Sequence, residues 1–446
     1  MALRTDSMHT LSAHRGSVLH FRFDPGLHED RDSFEFLEDG LLVVDGGRIA
    51  RVGPARELLP TLPATCKVVE HGDSILMPGF VDTHIHYPQT DVIASGGRQL
   101  LDWLEHYTFP VEREFSDPVH ARTVAEFFLG ELIRNGTTTA LVFCTVHRAS
   151  VEAFFEAASA RRLRMAAGKV LMDRNSPDYL LDSASAGEQD SRELLEKWHG
   201  RERLLYAITP RFAATSSEAQ LASAGRLAHE FPDAVVQSHV AENADEIAWV
   251  KRLFPDARSY LDVYDRYGLL RDRAIYAHCI HFDRSDRTRM AQSGASAAFC
   301  PSSNLYLGSG LFDIAAADEA GMRFSVATDV GGGSSFSMLR TLADAYKVAQ
   351  LMHQHLPPLR AFYLATLGGA RALGLEERVG SFRAGAEADF IVLDPRATAL
   401  IARRTARSRT LAEKLLVLMT LGDDRAIART YILGREVHST RAENSS

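Results

Sequence analysis

Two histidines, His84 and His86, stand two apart at the end of the apolar run FVDTHIH. Strand side chains alternate with a period of two, so both imidazoles leave the same face of a strand. Such a pair can share one metal ion at about 2.0 to 2.1 Å from each nitrogen. Three further runs carry the same kinds of group near their ends: His239 in AVVQSHV, His278 in AIYAHCI and Asp329 in RFSVATD. Each alone reads as a polar strand cap or a core histidine; together they point to one metal centre. Nitrogen and carboxylate donors without thiolates suit zinc, with iron or manganese as substitutes. A zinc site with an open position lowers the pKa of bound water to about 7. Glu242 follows His239 by three residues in HVAE, where a carboxylate beside the metal can ferry protons. The competing reading of Glu242 is an exposed glutamate at the start of a helix over AENADEI.

These groups need a scaffold that brings distant strand ends together. Between Pro78 and about Leu375, short apolar runs alternate with helix-like stretches: FVDTHIH, TTTALVF, MAAGKVLM, LLYAITPRF, AVVQSHV, AIYAHCI, ASAAFC and RFSVATD. The intervening PVHARTVAEFFLGELI places Ala121, Val124, Ala125, Phe128 and Leu132 on one helical face, the pattern of a helix covering a sheet. Repeated strand–helix alternation predicts an α/β fold with a (β/α)8 TIM-type barrel, whose C-terminal strand ends assemble active sites. A doubly wound sheet is the alternative, but no GxGxxG follows the first strand and no GxxxxGK[ST] occurs. Gly331, Gly332 and Gly333, without a Walker lysine, read as a tight turn beside the metal. LLVVDGGRIARVG predicts a hairpin around Asp45-Gly46-Gly47. ADFIVLD and RTYILGREVHS add strands near the other end. The expected organisation is a small β-sandwich domain from both ends (residues 1–75 and 376–446, the latter with a flanking helix) and a barrel over 76–375.

Composition narrows the function classes. Lys and Arg total 50 against 58 Asp and Glu, a net charge of −8, which argues against nucleic acid as a partner. At 446 residues, 46% hydrophobic and 24% charged, the chain is globular rather than disordered, collagenous or coiled-coil. Its four cysteines, Cys66, Cys144, Cys279 and Cys300, form no CxxC pair, so neither a disulfide framework nor a cysteine zinc ribbon is expected. MALRTDSMHTLSAHRG is interrupted by Asp6, His9 and His14 before a signal-peptide apolar region can form, and no stretch reads as a membrane span. The cytoplasm is the expected compartment. The basic cluster Arg403, Arg404, Arg407 and Arg409 reads as a solvated helix face rather than an anion site.

PGFVDTHIH with HVAE, AHCIH and SVATD resembles the amidohydrolase superfamily, in the branch with one metal held by three histidines and an aspartate. HIHYPQT, LDWLEHYTFPVE, NGTTTALVF, ITPRFAATSS, CPSSNLYLGSGLFD, ATDVGGGSSFSML and LGDDRAI are similar, in order, to the guanine deaminase family from about residue 78 to 435. The resemblance implies His84, His86, His239 and Asp329 as ligands of one zinc per chain, and Glu242, His278 and Asp329 as proton-handling groups. It implies Gln89 and Arg211 as base-recognition residues, guanine as substrate, xanthine and ammonia as products, and a homodimer. From its own chemistry, Gln89 offers a donor and an acceptor to an amide-like edge, and Arg211 either donates to an oxo group or pairs with a carboxylate. Trp103, Tyr107, Phe109 and Phe212 are candidates to enclose a planar base, with core packing as the alternative and the Phe212 backbone as a second candidate contact. Competing activities are deamination of another amino-substituted ring, such as an s-triazine or oxidised purine, and a non-catalytic scaffold. Cys279-Ile280-His281 has no functional reading at this level.

Overall fold

Residues 11–96 and 99–440 are described by a computed structural model; the first ten residues, on which the expectation of no signal peptide partly rests, lie outside it. The chain opens with β1 (Ser12–Phe21), β2 (Phe34–Asp45), β3 (Arg48–Pro54) and β4 (Lys67–Pro78). Gly46 and Gly47, at φ 57° and 81°, turn β2 back onto β3 as the DGG signal requires, because two successive positive φ values suit a tight hairpin. The barrel strands follow as β5 (Phe80–His86), β6 (Thr137–Phe143), β7 (Arg164–Gly168), β8 (Val170–Leu171), β9 (Leu205–Pro210), β10 (Val235–Val240), β11 (Ala274–His278), β12 (Ser296–Phe299) and β13 (Arg323–Val326). The chain ends with β14 (Phe390–Leu393), β15 (Ile427–Ile432) and β16 (Arg435–Ser439).

β1 to β4 and β14 to β16 form one seven-stranded sheet in the order β16-β15-β14-β4-β1-β2-β3, so the expected sandwich is built on a single hydrogen-bonded path. Alternation along β2 serves both of its faces. Leu42 and Val44 join a core with Leu76, Phe390 and Tyr431, while Leu41 and Val43 pack with Ala13 and Ala55.

The remaining strands run in the order β13-β12-β11-β10-β9-β7-β6-β5, with β8 beside β9. The eight runs read from the sequence are these strands, except that MAAGKVLM divides at Lys169. Gly168 is the reason: a Cβ there would lie 1.7 Å from the Ala207 carbonyl oxygen, and the buried Lys169 ammonium turns aside to pair with Asp182. The first and last strand ends meet where the Asp329 N–H donates to the His84 carbonyl at 3.0 Å and the His86 N–H to that of Val330 at 3.3 Å. The helix Pro118–Arg134 buries Ala121, Val124, Ala125, Phe128 and Leu132, while Val119 and Phe127 are exposed.

Two compact units result. One comprises the described residues to Val81, Ile133–Thr138 and the described residues from Pro357; the other is Asp82–Leu132 with Thr139–Leu356. The residues from Pro357 thus group with the C-terminal part of the chain. The helix Pro358–Leu364 packs against the helix Leu411–Leu421, which ties it to the C-terminal part of the chain. Arg403, Arg404, Arg407 and Arg409 are exposed, as a solvated face would be.

Candidate active site

Strand periodicity delivers His84 and His86 to one face of β5, and neighbouring strands supply the rest. His86 Nε2 lies 3.2 Å from both His84 Nε2 and His239 Nε2. Asp329 Oδ1 is 3.2 Å from His84 Nε2 and 3.5 Å from His86 Nε2. All four side chains are buried or nearly so, and burial drives the pKa of His84, His86 and His239 down, which keeps the imidazoles neutral and their lone pairs available. His239 presents Nε2 because its Nδ1–H donates to the Arg211 carbonyl at 2.6 Å. Three neutral imidazoles within 4.8 Å of one another, with the Asp329 carboxylate against two of them, fit a divalent metal ion. Cys300 also comes within reach of His84, His278 and Asp329. Burial lifts its thiol pKa well above the ordinary value, and its S–H donates to the Ala298 carbonyl at 3.3 Å, so it does not present a thiolate.

The proton-handling candidates lie alongside. His278 Nε2 is 3.2 Å from Glu242 Oε2 and 3.9 Å from Asp329 Oδ2. Burial raises the Glu242 pKa to about 7, against the pull of His278. Burial also opposes ionisation of Asp329, but His84 and His278 outweigh it and hold this carboxyl at about 2. Two neighbouring carboxyls are thereby set apart, one an anion at neutral pH and able to accept a proton, the other poised to exchange protons near neutrality. Burial opposes the charge on His278, yet Glu242 and Asp329 raise its pKa. Glu242 is 2% exposed, which sets aside the exposed-glutamate reading; the helix it precedes, Ala244–Leu253, is capped by Asn243 and Glu246. His278 and Asp329 adopt φ of 72° and 50°, left-handed backbone that is uncommon outside glycine and concentrates at functional sites.

A cavity opens onto these groups. Gln89, Trp103, Arg211, Phe212, Glu242, His278 and Asp329 all line it, together with His86 and His239. Trp103 is anchored by its Nε1–H to the Ser95 hydroxyl at 2.9 Å and forms an apolar wall with Leu100, Leu104 and Leu307. Phe212 is buried with its ring 6.0 Å from that of Trp249. Tyr107 is exposed and Phe109 stacks under the Arg211 guanidinium at 5.3 Å, so neither lines the cavity. Gly331, at φ 115°, makes room for Gln89, since a Cβ there would lie 2.0 Å from Gln89 Oε1.

Three contributors were not singled out from sequence. Glu112, from LDWLEHYTFPVE, accepts from Gln89 Nε2 at 3.1 Å and from Arg211 Nη1 at 2.5 Å. Asn304, from CPSSN, accepts at Oδ1 from His278 Nδ1 at 2.9 Å, which directs Nε2 toward the carboxylates. Ser309 donates its hydroxyl to Glu242 Oε1 at 2.9 Å. The Cys279-Ile280-His281 segment supports that contact: His281 Nε2 donates to the Ser309 carbonyl at 3.0 Å. Glu112 and Asn304 stood inside quoted motifs, but nothing local marks which side chain a motif residue will meet.

The family model described as Amidohydrolase family matches residues 75–437, and the chain belongs to that family. A guanine deaminase of Escherichia coli (strain K12) is 51% identical over 431 residues, 96% of this chain and 98% of that protein. The solved structure of E. coli guanine deaminase matches at a TM-score of 0.94 with 50% identity, over 96% of this chain and 100% of that one. A guanine deaminase structure from C. acetobutylicum with bound guanine in the active site matches at 0.86 with 29% identity, over 96% and 100% of the two chains.

Proposed function

We propose that this chain hydrolyses guanine to xanthine and ammonia. The observation that carries the reading is one cavity with a metal-fitting donor set and Glu242 on one side and the buried donor and acceptor groups of Arg211 and Gln89 on another. The similarity to guanine deaminases supports it. His84, His86, His239 and Asp329 would hold one divalent ion, with zinc favoured by the nitrogen and carboxylate donors. Such an ion supplies Lewis-acid activation of water, lowering its pKa to about 7.

The chain's own groups do the rest. Arg211 donates to the oxo group of the base and Gln89 accepts from the adjacent ring N–H. Asp329, anionic at neutral pH, takes a proton from the attacking water. Glu242, poised near 7, donates its proton to the ring nitrogen next to the amino-bearing carbon, takes up the remaining hydroxyl proton as the new C=O forms and passes it to the departing amine, so that ammonia leaves; the proton held by Asp329 then restores Glu242. His278, held by Asn304, donates to the oxyanion as it forms. The apolar wall around Trp103 and Leu307 excludes bulk water from this exchange.

Incubation of metal-loaded protein with guanine, followed by ultraviolet absorbance, should show xanthine accumulating with an equivalent of ammonia; no turnover overturns the reading. Rates on adenine and on an s-triazine such as ammeline separate it from the competing ring substrates. The cytoplasm is the proposed compartment, consistent with four free cysteines, and among the described residues no helix is long and apolar enough to cross a membrane. A homodimer is proposed on the resemblance alone, and sedimentation of the purified protein tests it.

A further inference from the structure

Glu112 sits behind the cavity wall, 1% exposed, on the short helix Phe109–Glu112. It does not line the cavity, yet it touches both side chains that meet the base edge in the proposed function. Its Oε1 takes the Gln89 Nε2–H at 3.1 Å and its Oε2 takes the Arg211 Nη1–H at 2.5 Å. An ionised carboxylate only accepts hydrogen bonds, whereas a glutamine amide presents a donor at one end and an acceptor at the other. The end of Gln89 that faces Glu112 must therefore be its NH2, which leaves Oε1 for the cavity side, where it lies against Gly331. Arg211, with one nitrogen committed to Glu112, keeps its remaining N–H groups as donors.

We infer that Glu112 is a positioning residue that sets the hydrogen-bond polarity of the base-reading pair: it holds Gln89 as an acceptor and Arg211 as a donor. The inference deepens the proposed function and rests on it. Guanine shows an oxo acceptor beside a ring N–H donor, the complement of that pair. 2,6-Diaminopurine keeps the 2-amino leaving group but shows an amino donor beside an unprotonated ring nitrogen, which mismatches both. Sites built to hydrogen-bond a particular group reject such analogues by about 10⁴ to 10⁵. Glutamine at position 112 would be isosteric but could donate as well as accept, so Gln89 would no longer be confined to one orientation.

The test is kcat/KM for guanine and for 2,6-diaminopurine in the metal-loaded wild type, Glu112→Gln and Glu112→Asp, with metal content and thermal midpoint measured for each. The guanine-to-diaminopurine ratio should fall by about 10² or more in Glu112→Gln. Glu112→Asp, shorter but still only an acceptor, should retain a larger ratio while losing part of its kcat/KM. If Glu112 is merely structural, both substrates decline in parallel and the ratio stays at the wild-type value, which overturns the role. Should Glu112→Gln not fold, Glu112→Asp against Glu112→Asn gives the same contrast, and equal ratios in those two also overturn it. Wild-type protein that makes no xanthine refutes the proposed function itself. Wild-type protein that makes xanthine, with an unmoved ratio in Glu112→Gln, refutes only the role of Glu112.

Discussion

Replacing His84, His86 or His239 with alanine removes one of four converging donors, and each variant should lose both bound metal and turnover. Metal analysis alongside xanthine formation checks this, and full activity with stoichiometric metal in any of the three would remove that histidine from the ligand set. Glu242→Gln is expected to keep the metal and approximate base affinity while lowering kcat by about 10² or more, because an amide cannot shuttle protons. A rise in KM with kcat unchanged would reassign Glu242 to binding. Arg211→Met should cost guanine kcat/KM at least about 1.5 to 3 kcal/mol, the range for a hydrogen bond to a charged group. It also leaves the Glu112 carboxylate buried without its cation, so the thermal midpoint should drop too; a variant as active as the parent would show that Arg211 does not read the base. At this scale the sequence was most informative where chemistry and spacing coincide, as in His84-x-His86. It was least informative for Glu112, Asn304 and Ser309, whose partners lie 99, 26 and 67 residues away for Arg211, His278 and Glu242 respectively.

Elements were legible where one face is buried and the period is clear. In the helix Pro118–Arg134, Phe128 is 0% exposed among the rings of Tyr87, Phe154 and Phe336, while its neighbour Phe127 is 57% exposed. Phe128→Ala should therefore cost about 3 to 5 kcal/mol by cavity formation, and Phe127→Ala less than about 0.5. Denaturant unfolding of the two variants, compared side by side, decides it; equal losses would mean the helix is turned. The interruption after Gly168 was not legible, because a continuous apolar run conceals a close approach to the Ala207 carbonyl that only the neighbouring strand creates.

For the molecule as a whole, the alternation of runs predicts the barrel, and the strand pattern at both ends predicts their pairing in one β unit. Acid tolerance belongs to this scale. Burial, then the charges of His71, Arg429 and Lys67, push the His14 pKa from 6.5 to about 3 while its ring packs edge-on to Phe390 and Tyr431. The unfolded chain takes up this proton near pH 6.5, but the folded chain does so only near pH 3. The stability from keeping the ring neutral is thus full above about pH 6.5 and is lost as pH falls toward 3, amounting to a few kcal/mol at most. His14→Phe, which keeps the packing without the titration, should unfold at lower pH than the parent when followed by circular dichroism; an unchanged or higher midpoint would contradict this.

The seam at which Asp329 donates its backbone N–H to the His84 carbonyl joins the strand ends that carry the first and last residues of the donor set. On the proposed ligand set, His84 and His86 are made early and Asp329 only with the last barrel strand. That ligand set predicts that a truncated or stalled product holds metal only loosely, and that retention of the ion through a chelator challenge reports that the whole ring has been made.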